Sequence, residues 1–249
     1  MKHLIIFFIL ILSNSYIISV NAQNTSISSF NQAKKILKND IYFDHMETFY
    51  CKATFNNDNK ITLPVGFYTE KHKKRAYRLE WEHIVPAENF GKSFIEWRDG
   101  HPSCVDSKNK AFKGRKCAEK TNKKFRYMLS DMYNLYPSIG AVNAMRSNYN
   151  FAELSKNIPF VFGSCPVKID NRKVEPPSYT KGVIARTYLY FEQEYPSYKM
   201  NSSMKKMMLA WNKMYPITQW ECIRAKRIEK HQGNSNAFVK NACKEQNLY

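Results

Sequence analysis

The 249-residue chain carries 39 lysines and arginines against 21 aspartates and glutamates, a formal net charge of +18. Charge of that size favours polyanions, of which nucleic acid is the common one, and by itself leaves plain solubility or attraction to an anionic cell surface equally open. No repeat, low-complexity tract or Gly/Ser linker is present, which excludes a solenoid or a string of modules and favours one domain with a sizeable core.

Residues 1–22, MKHLIIFFILILSNSYIISVNA, have the anatomy of a secretory signal peptide. Lys2 supplies the positive start, Leu4 to Leu12 is an unbroken apolar run, and Ala22 is a small residue at the cleavage position. A membrane anchor is the competing reading, but Ser13, Asn14 and Ser15 interrupt the run where a span needs about 20 apolar residues. Cleavage leaves residues 23–249, a periplasmic or secreted protein of 227 residues with a net charge of +17. Nothing downstream is apolar and long enough to cross a bilayer. All six cysteines (Cys51, Cys104, Cys117, Cys165, Cys222, Cys243) belong to that part, and an even count in an exported chain predicts three disulfides. Cys104 and Cys117 are near enough to close a local loop, and Cys243 pins the tail. Otherwise the pairing stays open. Zinc is a poor alternative, because no two cysteines have its short spacing.

Residues 29–40 predict an amphipathic helix with Ala33, Ile36 and Leu37 on one face. Residues 48–55 read as a strand containing Cys51, and residues 61–67, with Pro64 and Gly66, as a loop or edge strand. Residues 78–85 suit a strand that stops at Pro86. Residues 94–124 are rich in Lys, Gly, Asn and Ser and read as mostly loop, braced by Cys104 and Cys117. Residues 131–136 predict a second short strand. Pro137-Ser138 then opens a helix with Ser138 as N-cap. On it Ile139, Val142, Met145 and Tyr149 form an apolar stripe, and Asn143, Arg146, Ser147 and Asn150 a polar one. Residues 182–195, 201–213 and a basic stretch at 218–231 read as helices.

The stretch LEWEHIVPAENFG, residues 79–91, concentrates carboxylates around one histidine. An imidazole accepts a proton near neutral pH, and an adjacent carboxylate holds a hard divalent cation. Phosphodiester hydrolysis uses both, a base for the water and a cation for the charge on phosphorus and on the departing oxygen. Glu82-His83 alone is a weak signal, since neighbours on a regular strand point to opposite faces. The strand must bend or end there for the pair to serve one site. Asn143, on the polar stripe, adds a neutral oxygen ligand, although such a stripe is often only a solvated helix face. Two other readings stay open at this point. One is a non-catalytic cationic binder of nucleic acid, and the other a metal-independent ribonuclease that pairs histidines and needs His45 or His101.

EWEHIVPAENFG (80–91) together with MYNLYPSIGAVNAMRSNYNF (132–151) resembles the bacterial endonuclease I family, exported nucleases of the ββα-metal (His-Me finger) superfamily. Further stretches, EWRDGHPSC, FKGRKCAEK, GVIARTYLY and WECIRAKRIEKHQGNSNAFV, extend the likeness through most of the chain. The resemblance implies an α+β fold built on a central ββα-metal motif and braced by disulfides. It implies a monomeric endonuclease that cuts double- and single-stranded DNA, and RNA, with little regard to sequence and leaves 5′-phosphate ends. By the same resemblance His83 is the general base, Glu82 and Asn143 hold one Mg2+ (Ca2+ or Mn2+ can substitute), and Arg115 contacts the phosphate. Asn134 is expected to orient the motif, and Arg146 to touch DNA or support the helix. Glu80 and Glu88 are expected to be solvent-facing or structural, and Trp81 to pack.

Overall fold

The computed structural model describes residues 23–248, so the segment read as a signal peptide lies outside the described residues. Helix α1 (Phe30–Ile36) opens on Ser29, whose Oγ accepts from the Gln32 amide at 3.3 Å, and its end widens into a π-type turn at Leu37–Ile41. Strands β1 (Thr54–Phe55) and β2 (Ile61–Thr62) form a short antiparallel pair. Strand β3 (Leu79–His83) is followed by α2 (Ala87–Gly91), α3 (Ile95–Arg98), α4 (Arg115–Thr121) and α5 (Lys123–Leu129). Strand β4 (Leu135–Ile139) returns antiparallel along β3, Glu82 opposite Tyr136 and His83 opposite Leu135, and runs straight into α6 (Gly140–Arg146). Strands β5 (Asn150–Phe151), β6 (Lys168–Asp170) and β7 (Lys173–Glu175) form a sheet in the order β5-β7-β6, with β5 and β7 parallel. The chain ends in α7 (Ser178–Glu194), α8 (Ser202–Met214), α9 (Gln219–Gln232) and α10 (Ala237–Glu245). The architecture is α+β.

One apolar cluster runs from Ala33 and Leu37 of the N-terminal helix through Ile84, Val85, Phe90, Leu129 and Val142 to Tyr188, Phe191, Ile228 and Cys243. Helix α7 is buried around most of its circumference, which is the pattern of a central helix. The last three helices, α8, α9 and α10, start on side-chain caps. Asn201, Thr218 and Asn236 accept from the amides of Met204, Glu221 and Phe238. Three disulfides form: Cys51–Cys165, Cys104–Cys117 and Cys222–Cys243.

The structure moves several predicted boundaries. The second strand is residues 135–139, not 131–136, and residues 132–134 are a 3-10 turn. Pro137 and Ser138 sit inside β4, opposite Trp81 and Glu80, so Ser138 pairs instead of capping. Pro137 is tolerated because the sheet has two strands and its carbonyl, not the missing N–H, is used: it accepts from the Phe49 amide at 2.7 Å. Of residues 48–55 only Thr54 and Phe55 are strand. Thr48 folds the rest into a turn, its Oγ1 accepting from the Ala53 amide at 2.9 Å, with Lys52 at φ 51°. The stretch read as loop, 94–124, contains α3 and α4.

Candidate active site

A groove of about 900 Å³ runs over the end of the β3–β4 pair and the start of α4. Its walls carry cations from three places in the chain: Lys34, Lys35 and Lys38 on the first helix, Arg75 before β3, and Arg115 at the first turn of α4. Its floor carries Glu80, Glu82, His83, Asn143 and Arg146. Strand alternation places Glu80 and Glu82 on the same face, and α6 covers that face. Asn143 meets Glu80, its Nδ2 donating to Oε2 at 2.9 Å, and Arg146 meets Glu82 at 3.1 Å. Helix α6 comes this close because it starts on glycine. A Cβ at Gly140 would lie 2.7 Å from Glu80 Oε1 and 2.6 Å from the Arg75 carbonyl.

Glu82 is 2% exposed. Its Oε1 accepts from the Tyr50 hydroxyl at 3.1 Å and faces Arg146. Burial raises its carboxyl to about 7 against the pull of Arg146 and the Tyr50 hydrogen bond. Arg146 is 1% exposed and does not face solvent for DNA. Its guanidinium donates to the carbonyls of His83 (2.8 Å) and Ile84 (2.6 Å). It thereby fixes the point where β3 ends and makes the helix and the strand end one body. Asn134 does the matching work from β4's side. Its carboxamide exchanges two hydrogen bonds with the Val85 backbone, at 2.7 and 3.0 Å, and extends the pairing past His83.

That ending answers the alternation problem. The strand stops at His83, and the groove wraps its tip, so both the Glu82 face and the His83 face open on it. His83 is 8% exposed, with its ring 5.1 Å from Phe30. Its Nε2 lies 2.8 Å from the Leu129 carbonyl. A carbonyl only accepts, so Nε2 carries the hydrogen and Nδ1 keeps its lone pair. Burial lowers the imidazole to about 3, and the charges of Arg115 and Arg146 add to that, so the ring is neutral at pH 7.

Arg115 enters the groove from a turn that requires glycine, Gly114 at φ 79°. Its guanidinium lies 5.1 Å over the Phe30 ring, and among the described residues it forms no ion pair. Burial lowers its pKa. It is a cation held at the groove that feels the charge of Glu119 but has no ion-pair partner among the described residues.

The set can hold a hard divalent ion. Glu82 is a buried carboxylate. Donation of Nδ2 to Glu80 leaves the Asn143 carboxamide oxygen as that residue's ligating atom. Among the described residues no three His, Cys, Asp or Glu side chains gather into a cage. The donor set is therefore sparse and all oxygen, which suits an ion that keeps most of its waters. Neither His45, stacked on Trp220, nor His101, bonded to Ser103, lines the groove with His83, so the residues for a paired-histidine mechanism are not brought together.

Three residues of the site were not singled out as functional in the sequence. Glu80, expected to be solvent-facing or structural, is half-buried, paired with Arg75 at 2.6 Å and bonded to Asn143, contacts that fit the structural alternative. The i, i+2 spacing to Glu82 was a usable signal for it. Arg75 follows from Glu80. Tyr50 had no local signal, because it reaches Glu82 only through the fold around Cys51–Cys165. Trp81 packs as expected, edge-on to Tyr42.

A cationic groove floored by a neutral imidazole, a buried carboxylate and a carboxamide has the groups that hydrolysis of a phosphate ester uses. The family model for Endonuclease I matches residues 19–243. An extracellular deoxyribonuclease of Aeromonas hydrophila is 37% identical over 91% of this chain and 94% of its own. An Endonuclease-1 of Buchnera aphidicola subsp. Baizongia pistaciae is 35% identical over 99% and 97%. A periplasmic deoxyribonuclease of Aeromonas hydrophila is 34% identical over 94% and 95%. The chain belongs to the endonuclease I family and is a nuclease, a family assignment that points to a divalent metal cofactor. Among the described residues no helix is long and apolar enough to cross a membrane.

Proposed function

We propose that the chain is an exported, sequence-nonspecific endonuclease that hydrolyses double- and single-stranded DNA, and RNA, with Mg2+ and a histidine base. It leaves 5′-phosphate ends. Ca2+ or Mn2+ can substitute for Mg2+, and the active unit is the single domain 23–249, working as a monomer. The observation that carries this reading is the orientation of His83. With Nε2 tied to the Leu129 carbonyl, the neutral Nδ1 is the atom free to act in a groove shared with Glu82, Asn143 and Arg115.

His83 Nδ1 takes the proton of the attacking water, and Arg115 grips a non-bridging oxygen of the phosphate. The new P–O bond forms as the bond to the 3′-oxygen breaks, and that oxygen leaves with a proton from solvent. Glu82 and Asn143 hold the Mg2+, which when bound offsets charge on phosphorus and on the departing oxygen. Arg146 and Asn134 keep the strand end and the helix in register, and the wall lysines hold phosphates without reading bases. The names of the Aeromonas relatives, deoxyribonucleases, support DNA as substrate here. Plasmid digestion tests the reading. Excess EDTA should stop it, and His83→Ala should slow it by about 10²–10⁴-fold. Undiminished cutting in EDTA would remove the metal from the mechanism, and a fully active His83→Ala would remove the base.

A further inference from the structure

Between Cys104 and Cys117 the chain carries Lys108, Lys110, Lys113, Arg115 and Lys116 against a single acid, Asp106, five cations to one and a net of +4. Arg115 belongs to the groove. The four lysines do not line it, all four are exposed, and among the described residues none forms an ion pair. Yet the segment that displays them is not a loose loop. The disulfide closes it between two fully buried cysteines. Val105 and Ala111 pair across it, and Asp106 and Lys110 share a backbone bond at 3.0 Å. Asp106 spends its carboxylate on the turn, accepting from the Lys108 and Lys110 amides at 2.8 and 2.9 Å. Asn109 takes φ 59° at the tip, and Gly114 N bonds the Trp97 carbonyl at 3.0 Å. The single acid of the hairpin thus orders the backbone and does not pair with a lysine side chain.

We propose that this disulfide-closed hairpin is a second phosphate-binding surface, which grips the backbone of the nucleic acid where it leaves the groove past Arg115. The proposal rests on the nuclease reading above and names how the substrate is held outside the cleft. Chain continuity selects the partner. Lys113 and Lys116 flank the Gly114-Arg115 turn, so a strand held by Arg115 meets them next. A preordered hairpin loses little freedom on binding, and phosphate contacts carry no base identity, which suits unspecific cutting.

The test is binding of a fluorescent duplex of about 30 base pairs in EDTA, followed by anisotropy across about 50–200 mM salt. Replacing Lys108, Lys110, Lys113 and Lys116 together by glutamine should lower the slope of log K against log salt by about 3–4. Replacing the same four by arginine should keep the slope. Cleavage of a trinucleotide, too short to leave the groove, should be unchanged in the glutamine variant. An unchanged slope overturns the proposal. So does a glutamine variant that keeps its duplex slope but loses binding to phosphatidylglycerol vesicles, which would make the hairpin a membrane surface. A wild-type protein that binds with the full slope and never cuts leaves the hairpin standing and sinks the nuclease reading.

Discussion

Two regions face each other across the groove and are held by opposite means. The β3–β4–α6 unit contains no disulfide. Its rigidity comes from buried polar groups that satisfy one another: Arg146 on two carbonyls and Glu82, Asn134 on the Val85 backbone, Asn143 on Glu80. The segment from α3 through α4 has helices of four and seven residues, a covalent staple, and lysines turned to water. Where atoms must stay within a few tenths of an ångström for chemistry, the chain uses a hydrogen-bond network. Where it carries Arg115 and displays the lysines, a disulfide and a few local turn and junction bonds hold it.

The sharpest way to break that contrast is Arg146→Ala. Its Nε already lacks a partner among the described residues, but its other groups tie the strand end to the helix. Removal leaves Glu82 buried and unpaired, a loss of about 3–5 kcal/mol. Thermal unfolding checks it, and a midpoint like wild type would mean that the network is not what holds this side. Opening the other side should cost somewhat less. The double variant Cys104→Ser, Cys117→Ser frees a loop of sequence separation 13, worth about 3 kcal/mol by chain entropy. The folded variant is expected to keep cutting short substrates. Loss of that cutting at a temperature where it is folded would show that the staple positions Arg115.

Glu80→Ala asks whether the network serves the ion. Without Glu80, Asn143 loses the bond that turns its oxygen outward, and Mn2+ affinity read by electron paramagnetic resonance should fall about 10–100-fold. Equal affinity in variant and wild type would reduce the Glu80–Asn143 bond to scaffolding.

The same contrast governs what could be read in the sequence. The Glu82-His83 neighbourhood and the Asn143/Arg146 stripe stood out because strand and helix periods are local, and α7, α8 and α9 end within about a residue of the positions their apolar patterns gave, inside ordinary boundary scatter. The groove's lysines Lys34, Lys35 and Lys38 were only the polar side of an amphipathic helix. Nothing local says that α1 folds against the tip of β3. Ser138 misled because a Pro-Ser step reads as a helix start. The pairing of β4 with β3, a long-range choice, overrode it. Helices α3 and α4 were missed for a related reason. Four and seven residues are too short to show a period, and what stabilises them is the fold around them: a disulfide at Cys117 and the bond from Gly114 to Trp97.

Asn122→Ala gives the smallest effect and tests that last point. Asn122 ends α4 and caps α5, its Oδ1 accepting from the Phe125 amide at 3.0 Å while its Nδ2 donates to Glu96 Oε1 at 3.0 Å. One residue thus closes one helix through its backbone N–H, and its side chain starts the next and reaches back to α3. The cap bond alone is worth about 1 kcal/mol. The Glu96 bond adds to it, because the other carboxylate oxygen is already buried without a partner among the described residues, and losing the Asn122 amide leaves Glu96 with neither satisfied. If short helices here are held by such junctions and not by their own propensity, the variant should unfold earlier by a few degrees. Hydrogen exchange should quicken across α3, α4 and the start of α5 together, with β3, β4 and α6 unchanged. Exchange that quickens at α5 alone would show a simple N-cap, and would leave the segment's rigidity to the disulfide.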